Sequence, residues 1–412
     1  MKHAVMGMVL LAQFAVAQEV LSDRVQGVRV YGSTDAGFPV TTLESRPITI
    51  EFDVAEAQPP DIYIRVVHCD RDWNVTNSYF INDEMQNRSR APLAIDPAPA
   101  GVRSYRFHYS ARIPGIAGLE RFAHSGNYIF EVVDASSKEV LVRGRFFVAE
   151  ALLAPAMKIS NRSLPSEVNP YNQVNKIEVG FALPRPESMK DEVFYPIKLK
   201  VVDIYKNREL GNHWRVDADF PGPHSFVDGL GTTQMRFWVD NVIPGNDYRH
   251  IDVRNVTDYP EGQELRSRLG ADVSRFLQPP RGDHNGVSTI TTATRFADYV
   301  RYRFELASEY RQYETVFVVG DFDGWTPSPT CAMTYDDDSR RYVWSTSLRR
   351  GAYDYQYVVG PNDWMSIEGN DWRTVNVFSA FIYYRDDRLG GYDRIIGFIQ
   401  RLSPGGNEPT SE

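Results

Sequence analysis

The residues able to do chemistry are sparse and scattered. The chain has eight histidines. Beyond His3, the others (His68, His108, His124, His213, His224, His250 and His284) stand singly. No pair has the i, i+2 or i, i+4 spacing with which one strand or helix presents two imidazoles to zinc. His68-Cys69-Asp70 offers three ligand types in succession, but strand neighbours point to opposite faces and converge on one ion only through a sharp turn. The simpler reading is a strand end with His68 packed beside Trp73. Asp336-Asp337-Asp338 has the oxygens calcium requires, though a run of acids between Tyr335 and Tyr342 is more simply a solvated turn. Arg281-Gly282-Asp283 matches a cell-adhesion tripeptide short enough to arise by chance. Asn74-Val75-Thr76, Asn161-Arg162-Ser163 and Asn255-Val256-Thr257 are glycosylation sequons in a eukaryotic source only.

Catalytic constellations are missing in the same way. No Gly-x-Ser-x-Gly elbow and no phosphate-cradling glycine loop opening a helix is present. With 54 acidic residues, some carboxylate pair can always be nominated for glycoside chemistry, so nominating one carries no information. No catalytic, cofactor-binding or metal-binding residue is assigned, and a binding or scaffolding role is expected over an enzymatic one.

One turn stands out. Val316 to Val319 runs into Gly320-Asp321-Phe322-Asp323-Gly324-Trp325, the pattern of a buried strand leaving a sheet through a tight turn. Its tryptophan beside two carboxylates is either a ligand platform or a well-packed corner. As a platform, Trp325 with Trp364 and Trp372 would stack on sugars, making the chain a secreted glycan binder.

The elements that must position these residues are strands. At 412 residues, with 42% hydrophobic and 13% aromatic content, the chain is globular, too long for one core and rich in side chains that suit pleated surfaces. A formal net charge of −9 argues against a nucleic-acid binder, which needs a dense cationic face. Residues 1–17 read as a secretory signal: Lys2, then an apolar run, then Ala15-Val16-Ala17 before Gln18. No later apolar run reaches the ~20 residues of a membrane helix. Cys69 and Cys331 are expected as two separate buried thiols.

Alternating apolar runs recur from Val28 to Val148, including Ile62 to Val67, Tyr105 to Tyr109 and Tyr128 to Val133, and predict an immunoglobulin-like sandwich over 18–152. After a proline-punctuated connector, Val174 to Phe181, Ile197 to Tyr205, Met235 to Val239 and Tyr248 to Val253 predict a second over 153–290. Tyr299 to Phe304, Val316 to Val319, Tyr342 to Ser345, Tyr353 to Val359, Ala380 to Tyr384 and Arg394 to Gln400 predict a third over 291–402, with a polar tail at 403–412. The fold class expected is all-β: three consecutive immunoglobulin-like or early-set-like sandwiches. Leu265, Leu269, Val273 and Leu277 have helical spacing and predict a short surface helix within 261–277.

Four segments, in order, carry a family resemblance. The stretch Tyr63 to Trp73, with His68, Cys69, Asp70, Asp72 and Trp73, resembles the first-domain signature of the type IX secretion system plug protein. Pro244 to Asp252, with Arg249, is similar to that family's second-domain turn. Gly320, Asp321, Phe322 and Trp325 resemble the third, in a turn shared with starch- and glycogen-binding modules. Glu368-Gly369-Asn370, Tyr384-Arg385 and Tyr392-Asp393-Arg394 resemble its terminal run. Asp247-Tyr248 stands where Glu-Phe is usual, and Ile395 where Leu is usual. The segment from Tyr259 to Asp283 matches no part of the pattern.

The resemblance implies a non-enzymatic periplasmic protein of the Bacteroidetes and relatives. Such a protein docks on the inner face of an outer-membrane β-barrel translocon and seals it, without cofactor, nucleic acid or membrane span. The motif residues are expected to be structural. Trp73, Trp325 and Tyr384 read as core or corner residues, and Arg249, Arg385 and Arg394 as braces pairing with Asp247, Asp393 or Glu368. The contact loops are not legible in the sequence.

Overall fold

The computed structural model describes residues 17–33, 37–163, 173–183, 194–275, 282–292 and 294–405. The expected signal segment, apart from Ala17, lies outside these residues, as do Arg281, Leu277 and the end of the polar tail. Among the described residues the protein is all-β, and its strands form six sheets. The sheets stack in pairs around three hydrophobic cores.

The first body pairs a sheet of Gln18–Val20, Val140–Ala149, Gly126–Asp134 and Ile62–Cys69 with a sheet of Val25–Tyr31, Ile48–Val54, Phe107–Ile113 and Ala94–Pro97. Val40–Thr42 adds to the first of these as a parallel edge. Strand alternation decides the orientation: in Ile62–Cys69, Ile62, Ile64 and Val66 enter the core while Tyr63 and Arg65 face outward.

The middle body does not follow the linear division into 153–290 and 291–402. One of its sheets comprises Ala156–Ser163, Gln173–Ala182, Gln234–Val242 and Ser225–Asp228. The other places Val201–Lys206 between His213–Asp217 and the C-terminal hairpin of Val377–Asp386 and Tyr392–Leu402. Phe378, Ala380, Ile382, Tyr384 and Ile396 accordingly fill the core of the middle body. The third body, with strands from Arg249–Asp252 through Gly351–Val359, is thus inserted between two parts of the second. The reason is exposed sheet edge: Val201–Lys206 needs a partner on its second side, and the last hairpin supplies it.

The helix expected within 261–277 is not formed in the described part, 261–275. Leu265–Arg266 is instead a short strand parallel to Tyr302–Arg303. Leu265 is buried, but Leu269 is 99% exposed and Val273 52%, so the helical spacing has no apolar face to bury. Gly262 and Gly270, at φ +78° and +92°, both adopt backbone a right-handed helix cannot hold.

Several strands are apolar on both faces, and that doubled pattern marks where bodies meet. In Val140–Ala149, Phe146 and Val148 enter the first core, whereas Phe147 and Ala149 enter a separate cluster. In Val377–Asp386, Ile382 and Tyr384 face the middle core while Phe381 and Tyr383 face that same separate cluster. A sheet of the first body thus packs face to face on a sheet of the middle body.

Candidate functional site

Some motif residues lie at the seams between bodies, and others brace the interior of a single body. At the first seam, Phe147 and Phe381 stack with centroids 4.2 Å apart, flanked by Phe38, Tyr205 and Phe398. Trp73, at φ +66°, turns its ring edge-on to Phe147 at 5.2 Å, and the Arg145 guanidinium lies 4.5 Å from the Trp73 ring centre. Asp70 makes that turn possible: its Oδ1 accepts the backbone N–H groups of Asp72 and Asn74, each at 2.9 Å. Asp72 pairs with Arg215, which grips the buried Asp203 with two hydrogen bonds of 2.8 Å.

His68 is fully buried. Its Nδ1 lies 2.8 Å from Thr76 Oγ1 and its Nε2 3.0 Å from the Ser125 carbonyl. Its ring meets Tyr128 and Tyr392 edge-on, at 5.0 and 5.6 Å, so its aromatic neighbours are these and not Trp73. Burial pushes its pKa down to about 4. Glycine is required at 126, where a Cβ would come within 2.3 Å of His68 Nε2 and 2.7 Å of the Asp393 carbonyl. The neighbouring Cys69 thiol is free, buried and pushed up to about 12 by that burial. His68, Cys69 and Asp70 thus point to three different environments and form no common ligand set.

The terminal motif closes the same seam. Asp393 accepts the Arg71 backbone N–H at 3.1 Å and pairs with Arg385 at 3.3 Å. Arg394 takes the two oxygens of Glu150 at 2.9 and 2.7 Å and Asp386 at 3.2 Å, acids other than those expected for it. Tyr383 donates to Asn127 across the seam at 2.8 Å. Tyr384 faces the middle core and packs on Phe194 at 4.8 Å.

The third body carries its own brace. Arg249 bonds Glu368 at 2.9 Å and Asp272 at 3.2 Å, over the face of Tyr357. Glu368 also accepts Arg275 Nε at 3.0 Å and the Tyr357 N–H at 2.9 Å, and Gly369 follows it at φ +80°.

The Gly-Asp-Phe-Asp-Gly-Trp turn is a packed corner. Asp323 Oδ1 accepts the N–H groups of Gly320 and Trp325, both at 3.0 Å, and burial pushes its pKa up to about 8. Phe322 packs on Phe304 and Trp344. Trp325 is 1% exposed, donates to the Gly286 carbonyl at 3.2 Å and lies against Tyr248 at 4.1 Å. It has no free face for a sugar, so of the two readings of this turn it is the packed corner that forms; Trp364 and Trp372 are themselves half-buried. Asp336, which could have been a calcium ligand, instead caps its own turn through the N–H groups of Asp338 and Ser339.

Two junctions have no signal in the sequence motifs. Arg208 is one: its Nη1 and Nη2 donate to the carbonyls of Gly37 and Val30 in the first body at 2.8 and 2.6 Å, while its Nε meets Asp321 of the third at 3.0 Å. One buried guanidinium on the middle body therefore joins all three. The other is Asp53, fully buried in the first body. It receives Arg349 at 3.0 Å and Tyr299 at 2.8 Å from the third body, with His108 Nδ1 at 2.7 Å. Arg349 also donates to Tyr105 at 2.8 Å. Gly27 accommodates this contact, since a Cβ there would lie 1.8 Å from the Tyr299 hydroxyl. A cavity of about 60 Å³ beside Gly27, Arg29 and Tyr299 has room for water rather than a sugar or nucleotide.

Among the described residues, one group of side chains has converging metal-ligand atoms: His250, His284 and Asp354. Its members are far apart in sequence, so spacing could not have revealed it.

Fold and seams define a class: an all-β protein of three sandwiches joined at buried seams. Residues 25–150 match the family described as type 9 secretion system plug protein 1st domain, a span that takes in the strands of the first body except Gln18–Val20. That stretch therefore carries a type 9 secretion system plug first domain, in line with the motif residues within it, and the match supports a secretion-system-associated protein of the cell envelope. No curated protein matches the chain. Among solved structures, a hypothetical protein from Parabacteroides merdae is similar in fold at 20% identity and TM-score 0.75, covering 94% of this chain and 99% of that one. A marsupial T cell receptor aligns at 8% identity with a TM-score of only 0.14 and carries no weight.

Proposed function

We propose that the chain is a non-enzymatic obstructing subunit that sits in the periplasm, docks on the inner mouth of an outer-membrane β-barrel translocon and seals it between cargoes. The match of residues 25–150 to the plug first domain is the observation that carries this reading. The seams support it physically. A seal must hold its shape under load, and here the joints between bodies are a stacked aromatic layer, a shared guanidinium and a buried carboxylate, each of which resists hinge motion. Obstruction needs no reaction and no substrate pocket. The motif side chains act as internal braces in this reading, and the docking surface is formed by loops outside them.

The test is isolation of the tagged chain, at native abundance, from outer membranes extracted in mild detergent, with partners identified by mass spectrometry. Recovery with a large outer-membrane barrel is expected. Repeated recovery of the chain alone, from membranes in which the barrel is intact, would discard the reading.

A further inference from the structure

We infer that His250, His284 and Asp354 form a binding site for a borderline divalent metal ion, zinc foremost. The site is assembled by the sheet. His250 and Asp354 are direct cross-strand partners in an antiparallel pair, so their side chains rise on the same face close enough to touch. The loop entering Thr289–Ile290 adds His284. Asp354 is fully buried, and its Oδ2 is occupied by the backbone N–H groups of His284 at 2.8 Å and Gly286 at 3.0 Å. That leaves Oδ1 facing the two imidazoles, with Nδ1 of His250 at 3.0 Å and Nδ1 of His284 at 3.4 Å.

The two carboxylate–imidazole separations, 3.0 and 3.4 Å, approach those of a tetrahedron. Zinc bonds of roughly 2.0–2.2 Å place neighbouring ligand atoms about 3.3–3.5 Å apart, and the three ligand atoms lie within 4.8 Å of one another. Both imidazoles reach solvent, with side-chain exposures of 34% and 61%, which gives the ion a path in and leaves the fourth position for water. The carboxylate is already oriented by hydrogen bonds, the support that metal-ligating carboxylates ordinarily have. Two nitrogen donors disfavour calcium and magnesium, which take oxygen ligands. The neighbouring Asp283 is not a fourth ligand: its oxygens accept the N–H groups of Tyr248 and Asn285 at 2.7 and 2.9 Å.

The loop that brings His284 is fixed against the Trp325 corner, for Gly286 sits at φ +82° with a Cβ position only 3.0 Å from the indole. A bound ion would clip that loop to the sheet beneath the corner. This holds whether or not the chain plugs a translocon.

The test is calorimetric titration of the untagged full chain, stripped with chelator, using zinc sulfate and separately magnesium chloride. One zinc per chain and no magnesium binding are expected. Cobalt(II) should give the intense visible absorption of a tetrahedral site. His250→Ala and His284→Ala should each weaken zinc binding by at least about tenfold, the double variant should abolish it, and His224→Ala should leave it unchanged. Because removing the imidazoles takes partners from the buried Asp354 Oδ1, each variant's urea midpoint is measured alongside, and loss of binding by a variant that is still folded reports the site. Absence of stoichiometric zinc binding, or equal binding by the double variant, would mean that the imidazoles merely share a carboxylate, and would overturn the inference.

Discussion

The two seams that the first body makes are built from opposite chemistry. Against the middle body it presents a dry layer in which Phe38, Phe147, Tyr205, Phe381 and Phe398 interlock. Against the third body it presents polar contacts, foremost the buried carboxylate of Asp53, which receives Arg349 and Tyr299 from that body, and beside it the Arg103 and Ser104 N–H groups that Asp298 accepts. An aromatic layer gains by area and is indifferent to the exact placement of any one atom. A buried ion pair gains little net free energy but penalises every arrangement that leaves it unpaired. The first seam therefore supplies cohesion, and the second fixes how the inserted body is oriented.

The sharpest way to break this contrast is to cut one side chain from each seam. Phe381→Ala removes a ring that touches four other aromatic rings, and we expect a loss toward the upper part of the ~3–5 kcal/mol seen for such truncations, read as a lower urea midpoint. Asp53→Ala should cost about 3 kcal/mol, the lower end for an orphaned buried partner, because Arg349 keeps its bond to Tyr105. The combination Asp53→Leu with Arg349→Met should cost clearly less than the sum of the two single changes. Additive losses would show that the pair specifies nothing.

A smaller effect should come from pH. His68 has a pKa lowered to about 4 by burial, while in the unfolded chain it takes up a proton near pH 6.5. Between those values the unfolded state holds the extra proton, so stability is full above pH 6.5 and falls as pH drops toward 4. From pH 6.5 to 5 this single group should cost roughly 2 kcal/mol. His68→Gln should flatten that part of the stability profile, and an unchanged slope would place the sensitivity elsewhere.

Much of the fold was legible because strand formation is local. Ile62–Cys69, Gly126–Asp134 and Tyr299–Ala307 follow from alternation that any pleated segment must show. The doubled apolar pattern in Val140–Ala149 and Val377–Asp386 emerges only with the structure, and in a sequence it would say only that both faces are covered, not by what. The helix expected within 261–277 does not form in 261–275 because Gly262 and Gly270 take positive φ there, which overrides the apolar periodicity.

The sequence by itself determined an all-β chain, its strand positions and the turn chemistry of Asp70 and Asp323, since these depend on neighbours a few residues apart. Only the tertiary structure decided that the last hairpin completes the middle body, that Arg208 joins three bodies, and that His250, His284 and Asp354 meet. The physical reason is that sheet edges and buried charges take partners wherever the packed chain brings them close, and sequence distance leaves no trace of that choice.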